Sequence, residues 1–324
     1  MGVAYSQVFP PAPTLTESNL ASQKGKVFIV TGGSSGIGLQ LATILYRSGG
    51  KVYIAARSET KTRDCIEQIK TDAKDVSSVG HLEYLPLVLD DLTTIKASAE
   101  EFMSKEAKLD VLWNNAGISA PPLGSQSKQG HDLQLATNCL GPYLFTQLLL
   151  PSLKAAARDT PAGSVRVIWT ASQMMELRPP KGGMDISRLD GAGKDPGLMY
   201  TISKTGNWFL ASELAHDVGS LGILSVAQNP GALATDIFRH NSWMSFAASG
   251  LLHDPKFGAY TGLWCGLSPE LEMEDNGSYI LPWGRRHPGP LQELLKELKS
   301  TEEGGTGKAR QFAEWCKKKT DEFR

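Results

Sequence analysis

Lys26-Val27-Phe28-Ile29-Val30-Thr31-Gly32-Gly33-Ser34-Ser35-Gly36-Ile37-Gly38-Leu39 is the stretch around which the chain is organised. Val27 to Val30 form a short apolar run rich in β-branched residues, enough for one buried strand. Glycines follow at 32, 33, 36 and 38, and Leu39, Leu41, Ala42 and Leu45 continue at helical spacing. Strand, glycine turn and helix together hold phosphate: glycine lets the backbone approach the ligand, and the helix N-terminus turns its free N–H groups toward negative charge. A P-loop requires Gly-x-x-x-x-Gly-Lys-Ser/Thr, and Gly38 is followed by Leu39 and Gln40, so no lysine reaches a terminal phosphate. Gly-x-Gly-x-x-Gly does not fit either. What stands is Thr31-Gly32-x-x-x-Gly36-x-Gly38, a dinucleotide loop in which Gly32, Ser34, Ser35, Gly36, Ile37 and Gly38 are the candidate contacts.

Outward from this loop, strands and helices alternate. Strands are predicted at Lys51 to Ala56, Leu82 to Leu89, Leu109 to Trp113, Ser164 to Thr170, Ile223 to Gln228 and Tyr279 to Leu281. Helices are predicted over 58–72, Thr93 to Lys105, 131–157 and 199–218. This alternation predicts an α/β fold, a single Rossmann-type doubly wound parallel sheet of about seven strands with helices on both faces and a C-terminal helical tail. Residues 1–25 are predicted to form an N-terminal arm and 26–285 the dinucleotide-binding catalytic domain. Residues 232–262, with Trp243, Met244, Phe246, Leu251 and Leu252, are read as a substrate cover or, equally well, an ordinary pair of surface helices. Residues 286–324 extend the same domain with amphipathic helices. Its Lys317-Lys318-Lys319 triplet suits a helix C-terminus.

Composition narrows the function. The chain has 324 residues, 41% of them hydrophobic, and a formal net charge of −1, which gives no footprint for nucleic acid. The four cysteines share no metal-ligand or Cys-x-x-Cys spacing, and the six histidines show none either, so no metal is expected and a reducing compartment, the cytoplasm, is. No run approaches the ~20 apolar residues of a membrane span. Met1-Gly2-Val3-Ala4-Tyr5-Ser6 fits the N-myristoylation template loosely; a chance match is the plainer reading, and one acyl chain would give only marginal membrane association.

Tyr200-Thr-Ile-Ser-Lys204 carries the chemistry. Positions i and i+4 share a helix face, so a phenol and an ammonium enter one site. A phenol with a pKa near ~10 is a poor acid-base catalyst at neutral pH. A cation within ~4–6 Å is expected to pull it down. After the second strand stands Ala55-Ala56-Arg57-Ser58, with no carboxylate for a ribose 2′-OH and with an arginine fork suited to a 2′-phosphate. NADP(H) is therefore the expected cofactor, with hydroxyl contacts from Ser34 and Ser58.

With these motifs quoted, the chain resembles the short-chain dehydrogenase/reductase family, in its retinol-dehydrogenase-like branch and its fungal members. The resemblance runs from about Pro10 to the last helix. It rests on Thr31–Gly38, Asn114-Asn115-Ala116-Gly117, Ser172 with Tyr200 and Lys204, and Asn229-Pro230-Gly231 followed by Thr235. It implies that Ser172 bonds the substrate oxygen, with Thr170 as runner-up, that Tyr200 is the general acid/base, and that Lys204 also holds the nicotinamide ribose. Asn138 is implied to hold a water of a proton relay. Asn115, Ala116, Gly117, Pro230, Gly231 and Thr235 are implied to line the cofactor. Val88 stands where the family has an adenine-binding aspartate, and Asp90 or Asp91 substitutes only if the turn is shifted. The resemblance also implies a homodimer or homotetramer through the helices at 131–157 and 199–218, unless the apolar tail caps that surface. The reading is an oxidoreductase acting on a carbonyl or alcohol of a hydrophobic small molecule, in fungal specialised metabolism. The alternatives are a non-catalytic NADP-sensing regulator or scaffold, and a cyclase or dehydratase reusing the site.

Overall fold

A computed structural model describes residues 2–190, 195–234 and 252–324. Its elements run α1 (Gly2–Val8), β1 (Val27–Thr31), α2 (Gly36–Arg47), β2 (Lys51–Ala56), α3 (Glu59–Asp72), β3 (His81–Pro86), α4 (Leu92–Lys105) and β4 (Val111–Asn114). Next come the single turn α5 (Leu133–Leu135), α6 (Gly141–Ala157), β5 (Val165–Thr170), the short α7 (Met174–Leu177), α8 (Pro196–Val218) and β6 (Ile223–Gln228). α9 (Pro255–Leu267), β7 (Tyr279–Leu281), β8 (Arg285–Arg286), α10 (Gln292–Leu298) and α11 (Lys308–Thr320) complete it.

The sheet order is β3-β2-β1-β4-β5-β6-β7-β8, parallel as far as β7. β8, absent from the sequence reading, is a two-residue antiparallel edge strand hairpinned to β7. Side-chain alternation sends Ile29, Tyr53, Leu112 and Trp169 into one core layer with Phe102 of α4, Leu144 of α6 and Phe209 of α8. Phe28, Val30, Val52, Ile54 and Trp113 enter the opposite layer with Leu41 of α2, Ile66 of α3 and Trp264 of α9. Both sheet faces are buried, which is why these strands read as unbroken apolar runs. Sequence order reverses between β1 and β4, the point at which open α/β sheets take ligand at the strands' carboxyl ends.

Several expectations are corrected. β3 ends at Pro86 rather than Leu89, because its partner β2 ends at Ala56, opposite Pro86. The helix expected over 131–157 is interrupted by a π turn at Ala136–Leu140. Pro142 has no N–H to give the carbonyl of Asn138 four residues back, and the Gly141 N–H reaches instead to the Ala136 carbonyl, five back. The N-terminal arm begins with a helix, α1. In the expected cover, Trp243, Met244, Phe246 and Leu251 lie outside the described residues, and Pro255–Leu267 is a helix buried from Gly258 to Gly266 rather than a surface element.

The tail does cover α6 and α8. Phe312 of α11 is fully buried, its ring 6.3 Å from that of Phe209 and 5.7 Å from that of Trp315. It fills a notch left by Gly206 of α8, where a β-carbon would meet the Phe312 ring at 2.6 Å. Arg310 pairs with Glu213 of α8, and the Arg324 guanidinium donates to the Tyr143 hydroxyl of α6. Gly206→Ala therefore sets two effects against each other. Helix propensity alone favours alanine by about 1 kcal/mol. Displacing Phe312 costs more, so chemical denaturation is expected to show a net loss of about 1–3 kcal/mol. A stabilised variant would contradict the knob-in-notch packing.

Candidate active site

Thr31, the last residue of β1, clamps the two strands that flank the crevice. Its Oγ1 accepts from the backbone N–H of Asn115 at 3.0 Å and of Ala116 at 2.9 Å, and donates to the Trp113 carbonyl at 3.2 Å. Asn115 Nδ2 returns a bond to the Thr31 carbonyl at 2.9 Å. Gly32 then turns at φ +67°, a left-handed conformation in which its absent side chain leaves room for Ala116. A β-carbon on Gly38 would lie 2.5 Å from the Gly32 carbonyl oxygen, so only glycine lets α2 start this close to the loop. Ser35 stands at the N-cap of α2 without a side-chain capping bond, leaving the first-turn N–H groups to other partners. A shaped cradle at an uncapped helix N-terminus fits a dinucleotide pyrophosphate.

Around this cradle the candidate contacts separate. Gly32 N–H donates to the Ala55 carbonyl at 2.8 Å, which sets the loop beside the end of β2. Arg57 follows β2, exposed and without an ion pair or hydrogen bond among the described residues. The Ser34 carbonyl accepts from the Cys65 thiol, and the Ser58 hydroxyl accepts from Lys61 N as the cap of α3. Asp91 is committed elsewhere: it caps α4, accepting from Thr93 N and Thr93 Oγ1, and it accepts from Gln129 Nε2 at 3.1 Å. The Thr93 bond holds its carboxyl below the usual value. All of these bonds fall on Asp91 Oδ1. Thr235 lies outside the described residues.

The second half of the site hangs from α8. Lys204 is buried, and its Nζ donates to the Thr170 carbonyl at the end of β5, 2.9 Å away. Burial pushes its ammonium down to about 8. The same nitrogen lies 5.6 Å from the centre of the Tyr200 ring, one helical turn back. Tyr200 lies beside Ser172, whose Oγ accepts from Met174 N at 3.2 Å. The expected depression of the phenol by Lys204 is not what the site shows. Burial dominates and pushes Tyr200 up from its usual value, opposed by the neighbouring Ser172 hydroxyl.

Asn138 sits inside the π turn, fully engaged. Its Oδ1 accepts from Ile118 N at 2.9 Å, and its Nδ2 donates to the Ile118 carbonyl at 3.0 Å and to Ser203 Oγ at 2.9 Å. Gly117 brings the two halves together: a β-carbon there would be 3.2 Å from both Asn138 Oδ1 and Lys204 Nζ. Gly231 turns at φ +93° beside Pro282 and Trp283, its N–H donating to Asn229 Oδ1 at 3.0 Å.

Sequence reasoning missed Asn207, whose Nδ2 donates to the same Thr170 carbonyl as Lys204, at 2.8 Å. Its spacing of three from Lys204 and seven from Tyr200 on one helix face was the available signal. Ser203, which receives Asn138 and donates to the Tyr200 carbonyl at 2.8 Å, was missed as well.

Comparison with known proteins agrees with this geometry. A family model described as short chain dehydrogenase matches residues 26–184. A short-chain dehydrogenase/reductase of Pestalotiopsis fici is 45% identical over 97% of this chain and 96% of its own. One of Phomopsis amygdali is 42% identical over 99% of this chain and 97% of its own. Among solved structures, a protein of Mycobacterium paratuberculosis superposes with a TM-score of 0.68 at 25% identity, covering 95% of this chain and 97% of that one. The NADPH-bound carbonyl reductase from chicken fatty liver, 22% identical with a TM-score of 0.63 over 83% of this chain and 99% of its own, shares the fold. The chain therefore belongs to the short-chain dehydrogenase/reductase family and is a nicotinamide-dependent oxidoreductase.

Proposed function

We propose that the chain interconverts a carbonyl and an alcohol on a hydrophobic small molecule with NADP(H), and that Tyr200 is its general acid/base. The observation that carries this is the buried Lys204 ammonium, held by the Thr170 carbonyl and 5.6 Å from the centre of the Tyr200 ring, with the Ser172 hydroxyl close by. Gly117 and Gly231 would line the nicotinamide, which when bound would supply or take up the hydride. In the reducing direction negative charge develops on the substrate oxygen, and Ser172 and Tyr200 supply two neighbouring hydroxyl donors to stabilise it. The Met174 N–H occupies a lone pair of Ser172 and so helps fix where its hydrogen points. Tyr200 then gives up its proton, and Lys204, held by Thr170, stabilises the phenolate left behind. Burial raises the Tyr200 phenol and so works against its acidity, and the Lys204 ammonium beside it favours the charge that forms when the proton leaves.

Asn138 fixes Ile118 and Ser203, and through them the turn after β4 and the first half of α8. Arg57 supports the choice of NADP(H): it follows β2 without an ion pair or hydrogen bond among the described residues, and Ala55-Ala56-Arg57-Ser58 carries no carboxylate to bond a ribose hydroxyl. His253, Phe257 and Trp283 form an aromatic group beside Gly231, with Phe257 4.5 Å and His253 4.9 Å from Trp283 by ring centres. That group supports an apolar substrate. The fungal origin of the close relatives supports a place in fungal specialised metabolism, and the seat of α11 on α6 and α8 supports a monomer over self-association through those helices.

Two measurements test this reading. Tyr200→Phe is expected to lower kcat for NADPH-linked reduction of ketones and aldehydes by about 100-fold or more, as loss of a general acid does; unchanged turnover would refute the catalytic role. Arg57→Ala is expected to raise the Kd for NADPH about 10–100-fold, the worth of a charge-assisted hydrogen bond, while leaving NADH binding within about twofold. Equal weakening of both would refute the cofactor assignment.

A further inference from the structure

We infer that Gln7 of the N-terminal helix is a positioning residue, holding the Ser172 segment and the Asn229-Pro230-Gly231 turn in register across the substrate end of the site. This inference rests on the proposed roles of those two segments. A seven-residue helix is not stable in isolation, and α1 is held by the body of the protein. Arg285 Nη2 donates to the Ser6 carbonyl at 2.7 Å, His253 Nε2 lies 2.8 Å from the Val8 carbonyl, and Gln173 Nε2 donates to the Ala4 carbonyl. Cationic or N–H groups thus satisfy its terminal carbonyls.

Gln7 is the helix residue that turns inward, 2% exposed. Its Oε1 accepts from Asn229 Nδ2 at 2.8 Å, and its Nε2 donates to Glu176 Oε2 at 2.9 Å. Asn229 in turn accepts the Gly231 N–H. At the other end, His287 Nδ1 accepts from Gly289 N, and its Nε2 lies 3.0 Å from Glu176 Oε1. The ends fix the orientation of every amide between them. A backbone N–H can only donate and a carboxylate can only accept, so the donors run one way from Gly231 through Asn229 and Gln7 to Glu176. Burial works against the Glu176 carboxylate, yet the neighbouring His287 and the bond from Gln7 hold it below its usual value.

The chain joins two segments that are far apart in sequence. Glu176 stands on α7, which follows Ser172 directly, and Ser172 Oγ is bonded to the first N–H of α7. Gly231 belongs to the turn after β6. Without Gln7, Glu176 and Asn229 face each other across a gap, each with a buried polar atom unpaired. The Arg57 end of the cradle does not touch this bridge.

Hydrogen exchange read by mass spectrometry tests the inference without cofactor or substrate. In Gln7→Leu, amides of 172–177 and 229–231 are expected to lose protection about 10-fold or more, while those of 31–39 keep theirs. In turnover with any ketone or aldehyde the wild type accepts, kcat is expected to fall about 10–100-fold, as misplacement of a reacting group does, with the Kd for NADPH within about twofold. Uniform loss of protection across the domain, or exchange and kcat equal to wild type, would overturn the inference.

Gln7→Glu gives a second reading that survives poor folding of the leucine variant. While protonated, the carboxyl group this substitution introduces still donates to Glu176 and accepts from Asn229. The groups around it are Glu176, His287, Tyr279, Arg285 and His253, and the adjacent Glu176 carboxylate raises the pKa of the new acid. Local protection relative to wild type is therefore expected to be highest at acid pH and to fall as pH rises; a flat ratio would overturn the bridge. If Gln7 behaves as stated but Tyr200→Phe retains activity, it is the catalytic reading that fails.

Discussion

The bond set around Thr31 is the constraint on which the site depends. One hydroxyl ties the ends of β1 and β4 at the point where strand order reverses. To one side the chain turns through Gly32 into the N-terminus of α2; to the other it turns through Gly117 beneath Lys204. The glycine loop at the start of α2 and the Lys204 side of the site are thereby referenced to a single backbone position. A threonine suits that position because the hydroxyl donates once and accepts twice while its methyl group stays in the buried sheet.

The electrostatics at the other end of the crevice are set by burial more than by charge. Lys204 is among the largest fully buried side chains, and its partner is a neutral carbonyl rather than a carboxylate. Its ammonium is therefore weakened toward about 8, and Tyr200 is raised rather than lowered. A lysine destabilised in this way favours any negative charge that develops beside it, which is what the proposed role of Tyr200 requires.

Much of this was legible in the sequence, where local chemistry alone decides structure. Glycine spacing after a β-branched run located the cradle, since only a left-handed turn and a close helix approach need glycine at 32 and 38. Tyr200 and Lys204 shared a face because helical geometry leaves no other arrangement. What stayed hidden depended on partners far along the chain. α1 is too short to persist alone and exists through Arg285, His253, Glu176 and Asn229, all in the second half of the chain. The π turn at 136–140 arises from Pro142 acting on a helix that otherwise reads as continuous, and the cap that Asp91 gives α4 depends on Thr93 and on Gln129, 38 residues away. Gly206 gave no signal at all, because its meaning is the shape of Phe312.

The central claim is that hydride passes between a nicotinamide seated in this crevice and a substrate carbon under the Ser172–Tyr200 pair. Incubating the protein with NADPH deuterated at the C4 position and a panel of ketones and aldehydes, then weighing the alcohol products, tests it directly. The account predicts one deuterium on the carbinol carbon from one of the two C4-labelled epimers and none from the other. Alcohol formed without deuterium from either epimer would contradict it.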